Sequence, residues 1–71
     1  MAKQLSIKQA WNQYLSAKDK YAQDYFLHIV GVQLGAISEG DVRSMGKGIG
    51  SVVLTPGQRE AILREASEKD L

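Results

Sequence analysis

The sequence contains no cysteine and only one proline among its 71 residues. Without thiols, the chain forms no disulfide cross-link and no thiolate metal site, and it has no thiol nucleophile or thiol redox switch. A disulfide-free chain of this size is typical of the cytoplasm, which we therefore expect as its location.

The sequence also lacks a strong charge of either sign and any long hydrophobic run. Nine Lys and Arg residues stand against eight Asp and Glu residues, so the net charge is +1. That excess is too small to indicate nucleic-acid or membrane binding by charge alone. The longest apolar stretch, within residues 26–37, is interrupted by His28 and Gln33 and falls far short of the ~20 residues that span a bilayer. The first residues lack the apolar core of a signal peptide. We expect no membrane partner.

Residues with catalytic or metal-binding chemistry are sparse. His28 is the single histidine, and its apolar surroundings favour a structural role over that of a general base. Asp19 and Asp24 are five residues apart, so on a helix their carboxylates point to different sides. No serine has a sequence context that would activate it. The sequence therefore predicts a non-enzymatic protein with no cofactor and no metal site.

The N-terminal half carries one long amphipathic pattern. Ser6 and Gln9 fit a capping box at a helix start. Apolar side chains then follow at helical spacing in one stripe roughly 160° wide. The members of this stripe are Ile7, Trp11, Tyr14, Tyr21, Tyr25, Ile29 and Val32.

The constant phase of this stripe is compatible with one continuous helix and equally with two helices. Lys18 interrupts the stripe, and Asp19 is a suitable cap for a second helix. The two-helix interpretation has helices at about 7–18 and 19–38, followed by Gly40 as a left-handed stop. Gly31 and Gly35, four residues apart, would let another backbone approach closely.

A third helix is predicted at about 56–69, because Thr55, Pro56 and Gln58 combine an N-cap, a preorganised first position and a capping box. Residues 40–51 are predicted to be a flexible Gly-rich loop, with a short helical turn possible at 42–45. Residues 51–54 are predicted to be a short extended segment. The expected fold is mainly α: one small helical domain over residues 1–71, with two or three helices.

The glycines of the loop resemble a phosphate cradle only superficially. The segment Gly46-Lys47-Gly48-Ile49-Gly50-Ser51 lacks the spacing of a P-loop, and no βαβ unit surrounds it. We interpret it as a connector. The alternative is a loop that orders on a partner, with Arg43 and Lys47 as its charged contacts.

The segment Leu54-Thr55-Pro56-Gly57-Gln58-Arg59-Glu60-Ala61-Ile62 resembles the opening helix of LuxR-type and sigma-like helix-turn-helix domains. In those families the DNA-reading helices come after this one. Only nine residues follow Ile62 here, so no DNA contact is assigned to this chain from the resemblance. The alternative is a DNA-recognition helix upstream of this segment, which would make the chain a DNA-binding protein.

All five aromatic residues lie within sixteen residues of one another, and the rest of the chain offers modest apolar cover for them. We therefore expect part of the stripe, especially its N-terminal part, to stay exposed as an interface. Nearby lysines would suit an acidic partner. The predicted partner-binding residues are Ile7, Trp11, Tyr14, Lys18, Tyr21, Tyr25, Arg43 and Lys47.

The functional hypothesis is a small non-enzymatic regulator that docks on a larger protein. Short, Cys-free, near-neutral chains are often phage-type regulators of host transcription that act on RNA polymerase or its factors. Two alternatives remain open: a small DNA-binding transcriptional regulator, and a helical homo-oligomer with a structural or assembly role, of which a homodimer is the simplest form.

Overall fold

The computed structural model describes residues 5–46, 48 and 50–71. Three α-helices and one short antiparallel ribbon make up the fold, which confirms the predicted small, mainly α domain. The elements in chain order are α1 (Ile7–Ser16), α2 (Lys20–Leu34), a 3-10 turn (Glu39–Asp41), β1 (Arg43–Ser44), β2 (Val52–Val53) and α3 (Pro56–Glu68).

The amphipathic stripe is divided between two helices. The capping box that opens α1 is present: the Ser6 and Gln9 side chains each accept a hydrogen bond from the other's backbone N–H, at 3.2 and 3.1 Å. The helix ends at Ser16, since Ala17 has extended backbone angles. Asp19 Oδ1 then accepts a hydrogen bond from the Ala22 backbone N–H at 2.9 Å and caps α2. Of the two interpretations, the break is the correct one.

The helices α1 and α2 pack against each other in antiparallel directions. The Gln33 side chain, near the end of α2, donates to the backbone carbonyl of Leu5, just before α1, at 2.6 Å. At the turn, the Gln23 side chain donates to the Ala17 carbonyl at 3.3 Å. The domain is therefore only 31 Å in its longest dimension, shorter than the ~35–40 Å expected of one continuous helix over residues 7–32.

Helix α2 ends four residues before the predicted position 38. Gly35 adopts a left-handed conformation with φ 79° and donates to the carbonyls of Gly31 and Val32. Gly35 thus performs the stop function that the sequence assigned to Gly40, which instead lies in the 3-10 turn. The apolar periodicity predicts too late an end for α2, because Ile37 still packs against the core after the helix has ended.

The ribbon follows the 3-10 turn. Arg43 pairs with Val53 and Ser44 pairs with Val52, so the extended segment predicted at 51–54 is confirmed and the helical turn proposed at 42–45 is wrong. Val52 is buried and Val53 is exposed, as the alternation of side chains along a strand requires. Lys47 and Ile49 lie outside the described residues, and the flexibility of the loop stays a prediction.

Helix α3 begins with the predicted capping box. Thr55 Oγ1 accepts from the Gln58 backbone N–H at 3.1 Å, and Gln58 Oε1 accepts from the Thr55 N–H at 2.9 Å. The amide nitrogen of the same Gln58 side chain donates to the Asp41 carbonyl at 3.0 Å. One side chain therefore both starts α3 and ties it to the 3-10 turn.

Helix α2 lies at the centre of the molecule and contacts α1, α3 and β2. Its Leu27 and Val30 are fully buried, as is Ile62 of α3. Gly31 allows α3 to approach: a Cβ at that position would lie 2.6 Å from Ile62 Cγ1. The buried hydrophobic residues of the whole core are Ala10, Leu27, Val30, Val52, Leu54, Ile62 and Ala66.

A buried ion pair also joins α2 to α3. Arg59 Nη2 donates to both carboxylate oxygens of Asp24, at 2.9 and 3.2 Å. The Asp24 side chain is only 5% exposed, whereas that of Arg59 is 31% exposed. A buried carboxylate without a partner is costly, so this contact favours the one α2–α3 arrangement in which the two groups meet.

We expect Gly31→Ala to lower the free energy of unfolding by about 1–2 kcal/mol, because the new methyl group overlaps a fully buried Ile62 side chain and this outweighs the better helix propensity of alanine. Gly57→Ala is the matched control. It is also a helical glycine, but its added Cβ meets nothing closer than 4.0 Å, so it should leave stability unchanged or raise it by up to ~1 kcal/mol. Urea denaturation of both variants measures the difference, and equal effects would contradict the packing argument.

Arg59→Leu should destabilise the protein by about 2–3 kcal/mol, because it leaves the Asp24 carboxylate buried without its partner; the partial exposure of Arg59 keeps the loss below that of a fully buried pair. The double variant Asp24→Leu/Arg59→Leu should recover most of this loss, since neither charge remains. Thermal and urea unfolding of the single and double variants test this. A double variant less stable than Arg59→Leu would show that the pair contributes more than charge compensation.

Candidate functional site

The break between α1 and α2 separates the predicted partner-binding residues into two groups. Ile7, Trp11 and Tyr14 lie on α1, where each is half-buried and packs against the core cluster. Tyr21 and Tyr25 lie on α2, Tyr21 exposed and Tyr25 half-buried. In one continuous helix the five would share a face, but here the second helix runs back along the first, so the two groups lie on different helices.

The first group forms one edge of α1. The rings of Trp11 and Tyr14 lie with their centroids 5.2 Å apart. Leu15, one turn beyond Trp11, is 62% exposed; it flanks the stripe in the sequence but is not among the predicted partner-binding residues. The helical spacing that places Leu15 beside Trp11 was available, but it did not show which flank of the stripe the core would cover. We call Ile7, Lys8, Trp11, Tyr14 and Leu15 the α1 surface.

The charges at the α1 surface are positive. Helix α1 contains one charged residue, Lys8, and it has no acidic residue. Lys18 is exposed in the turn that follows. The neighbouring Asp19 carboxylate caps α2, and it is exposed and keeps its negative charge beside Lys18. The α1 surface is therefore apolar and aromatic, with Lys8 as the one charge on the helix itself and Lys18 beside Asp19 in the turn.

The second group belongs to a stripe along α2. Tyr21, Tyr25, Ile29 and Val32 follow the i, i+4, i+8, i+11 spacing that keeps side chains on one side of a helix. From Tyr25 onward this stripe lines an open groove of about 510 Å³. The groove lies between α2, Leu5 and the segment that contains the ribbon. The lining residues are Leu5, Tyr25, His28, Ile29, Val32, Gln33, Glu39, Val42, Ser44, Gly46, Gly48, Ser51 and Val52.

Three polar side chains of the groove are bonded to backbone carbonyls of the groove lining. His28 Nδ1 makes a short hydrogen bond to the Tyr25 carbonyl. Ser44 Oγ donates to the Gly46 carbonyl at 2.7 Å, and Ser51 Oγ donates to the Gly48 carbonyl at 2.6 Å. The His28 contact lies within α2, and the two serine contacts are local ones at the segment between β1 and β2. Within the described part of the chain, no three His, Asp or Glu side chains are gathered as metal ligands.

The ribbon places Arg43 away from this groove. Arg43 is exposed and lies opposite Val53, whereas the next pair, Ser44 and Val52, lines the groove. Because side chains alternate along a strand, Arg43 points to the outer face of the ribbon. The other predicted loop contact, Lys47, lies outside the described residues.

Comparisons with protein-family models, with characterised proteins and with solved structures give no match to this chain. None of the helices in the described ranges is both long and apolar enough to cross a membrane.

Leu15→Ser and Trp11→Ala should differ in their effect on stability. Leu15 is mostly solvent-exposed, so its replacement should change the free energy of unfolding by no more than ~0.5 kcal/mol. Trp11 packs its half-buried ring on the core, so its loss should cost about 1–3 kcal/mol. Urea denaturation followed by far-UV circular dichroism gives both values. Equal losses would mean that Leu15 packs against the fold in solution.

Proposed function

We propose that this chain is a non-enzymatic regulatory protein that docks on a larger protein through the α1 surface. The observation that carries the proposal is the exposure of Leu15 beside the half-exposed Trp11–Tyr14 ring pair. Aliphatic and aromatic side chains that stay in solvent next to one another, with charged residues at their rim, are typical of protein interfaces.

The α1 surface is well suited to binding because contacts with the rest of the fold already hold helix α1 in place. Ala10 of α1 is fully buried, and Gln33 of α2 anchors the backbone at Leu5. A surface that is already ordered loses little conformational entropy when a partner binds. Tryptophan and tyrosine are also the residues that most often dominate binding energy.

The charge of the α1 surface indicates the chemistry of the partner. Lys8 and Lys18 are exposed; α1 itself has no acidic residue, and Asp19 beside Lys18 also caps α2. A partner surface with an apolar centre and acidic residues at its edge would be complementary in both respects. We propose the host transcription machinery, RNA polymerase or one of its factors, as that partner, with a phage-type regulator as the biological setting in the cytoplasm. The chain would act by occupying a surface or holding a conformation.

Two other functions receive less support from the described residues. The histidine and serines of the groove are bonded to neighbouring carbonyls, so they support the fold instead of forming a nucleophile–base pair. Helix α3, the segment that resembles a helix-turn-helix opening, carries mostly acidic charge, since its Arg59 is paired with Asp24. An acidic helix is poorly suited to the phosphates of DNA.

Affinity capture from a host lysate tests the proposal, with the purified protein as bait and with nuclease treatment in parallel. Leu15→Ser and Lys18→Glu should each reduce recovery of the partner at least about five-fold, because one removes an apolar anchor and the other reverses a rim charge. Recovery should not change with nuclease. Far-UV circular dichroism checks that each variant retains its helices.

Gln13→Ser and Lys69→Glu are the matched controls. Gln13 is exposed on the polar side of α1, and Lys69 caps the far end of α3. Both should leave capture unchanged. If the Leu15 and Lys18 variants bind as well as the natural protein, the α1 surface is not the interface. If nuclease abolishes capture, the chain binds nucleic acid and the proposal is wrong.

A further inference from the structure

We draw no further inference here: the strongest candidate, the open groove that Tyr25, Ile29 and Val32 of α2 line beside the ribbon, is an apolar surface for which nothing in the described residues shows what covers it.

Discussion

The hydrogen bond from the Ala22 backbone N–H to the Asp19 carboxylate marks the point at which the N-terminal half of the chain divides into two helices. It begins a second helix within a segment whose apolar periodicity also fits one uninterrupted helix. Because α2 then runs back along α1, the apolar side chains of residues 7–32 provide much of their own cover. A chain this small has few other elements with which to build a core.

Helix α2 consequently becomes the element on which the others assemble. It meets α1, α3 and β2, and two specific contacts define its position against α3. Gly31 leaves the space that the Ile62 side chain fills, and Arg59 compensates the buried charge of Asp24. One contact requires a residue without a side chain and the other requires a pair of opposite charges, so together they favour a single packing arrangement.

The same geometry produces two surfaces of different character. The α1 surface is apolar with positive charges at its rim, and it stays exposed because α1 turns only part of its circumference to α2. The α2 stripe lies beside the ribbon, where the 3-10 turn adds Glu39 at one end. The residues that the apolar periodicity places on one face are thus divided between two helices.

Local signals predicted the local structure well. The capping boxes at Ser6 and Thr55 were readable because a capping residue and its partner are three residues apart and bond to the nearest backbone groups. Asp19 was recognised as a possible cap for the same reason. The end of α2 was placed too late, since Gly35 and Gly40 are both suitable stops and only the packing of the residues that follow selects between them.

The sequence by itself determined the helical class, the helix starts and the absence of thiol chemistry, because each depends on composition or on contacts within a few residues. Tertiary structure alone decided that Leu15 is exposed, that Asp24 meets Arg59 thirty-five residues away, and that Tyr21 and Trp11 lie on two antiparallel helices. Those outcomes depend on the direction in which one helix leaves the turn at residues 17–19, and no short-range pattern encodes that direction.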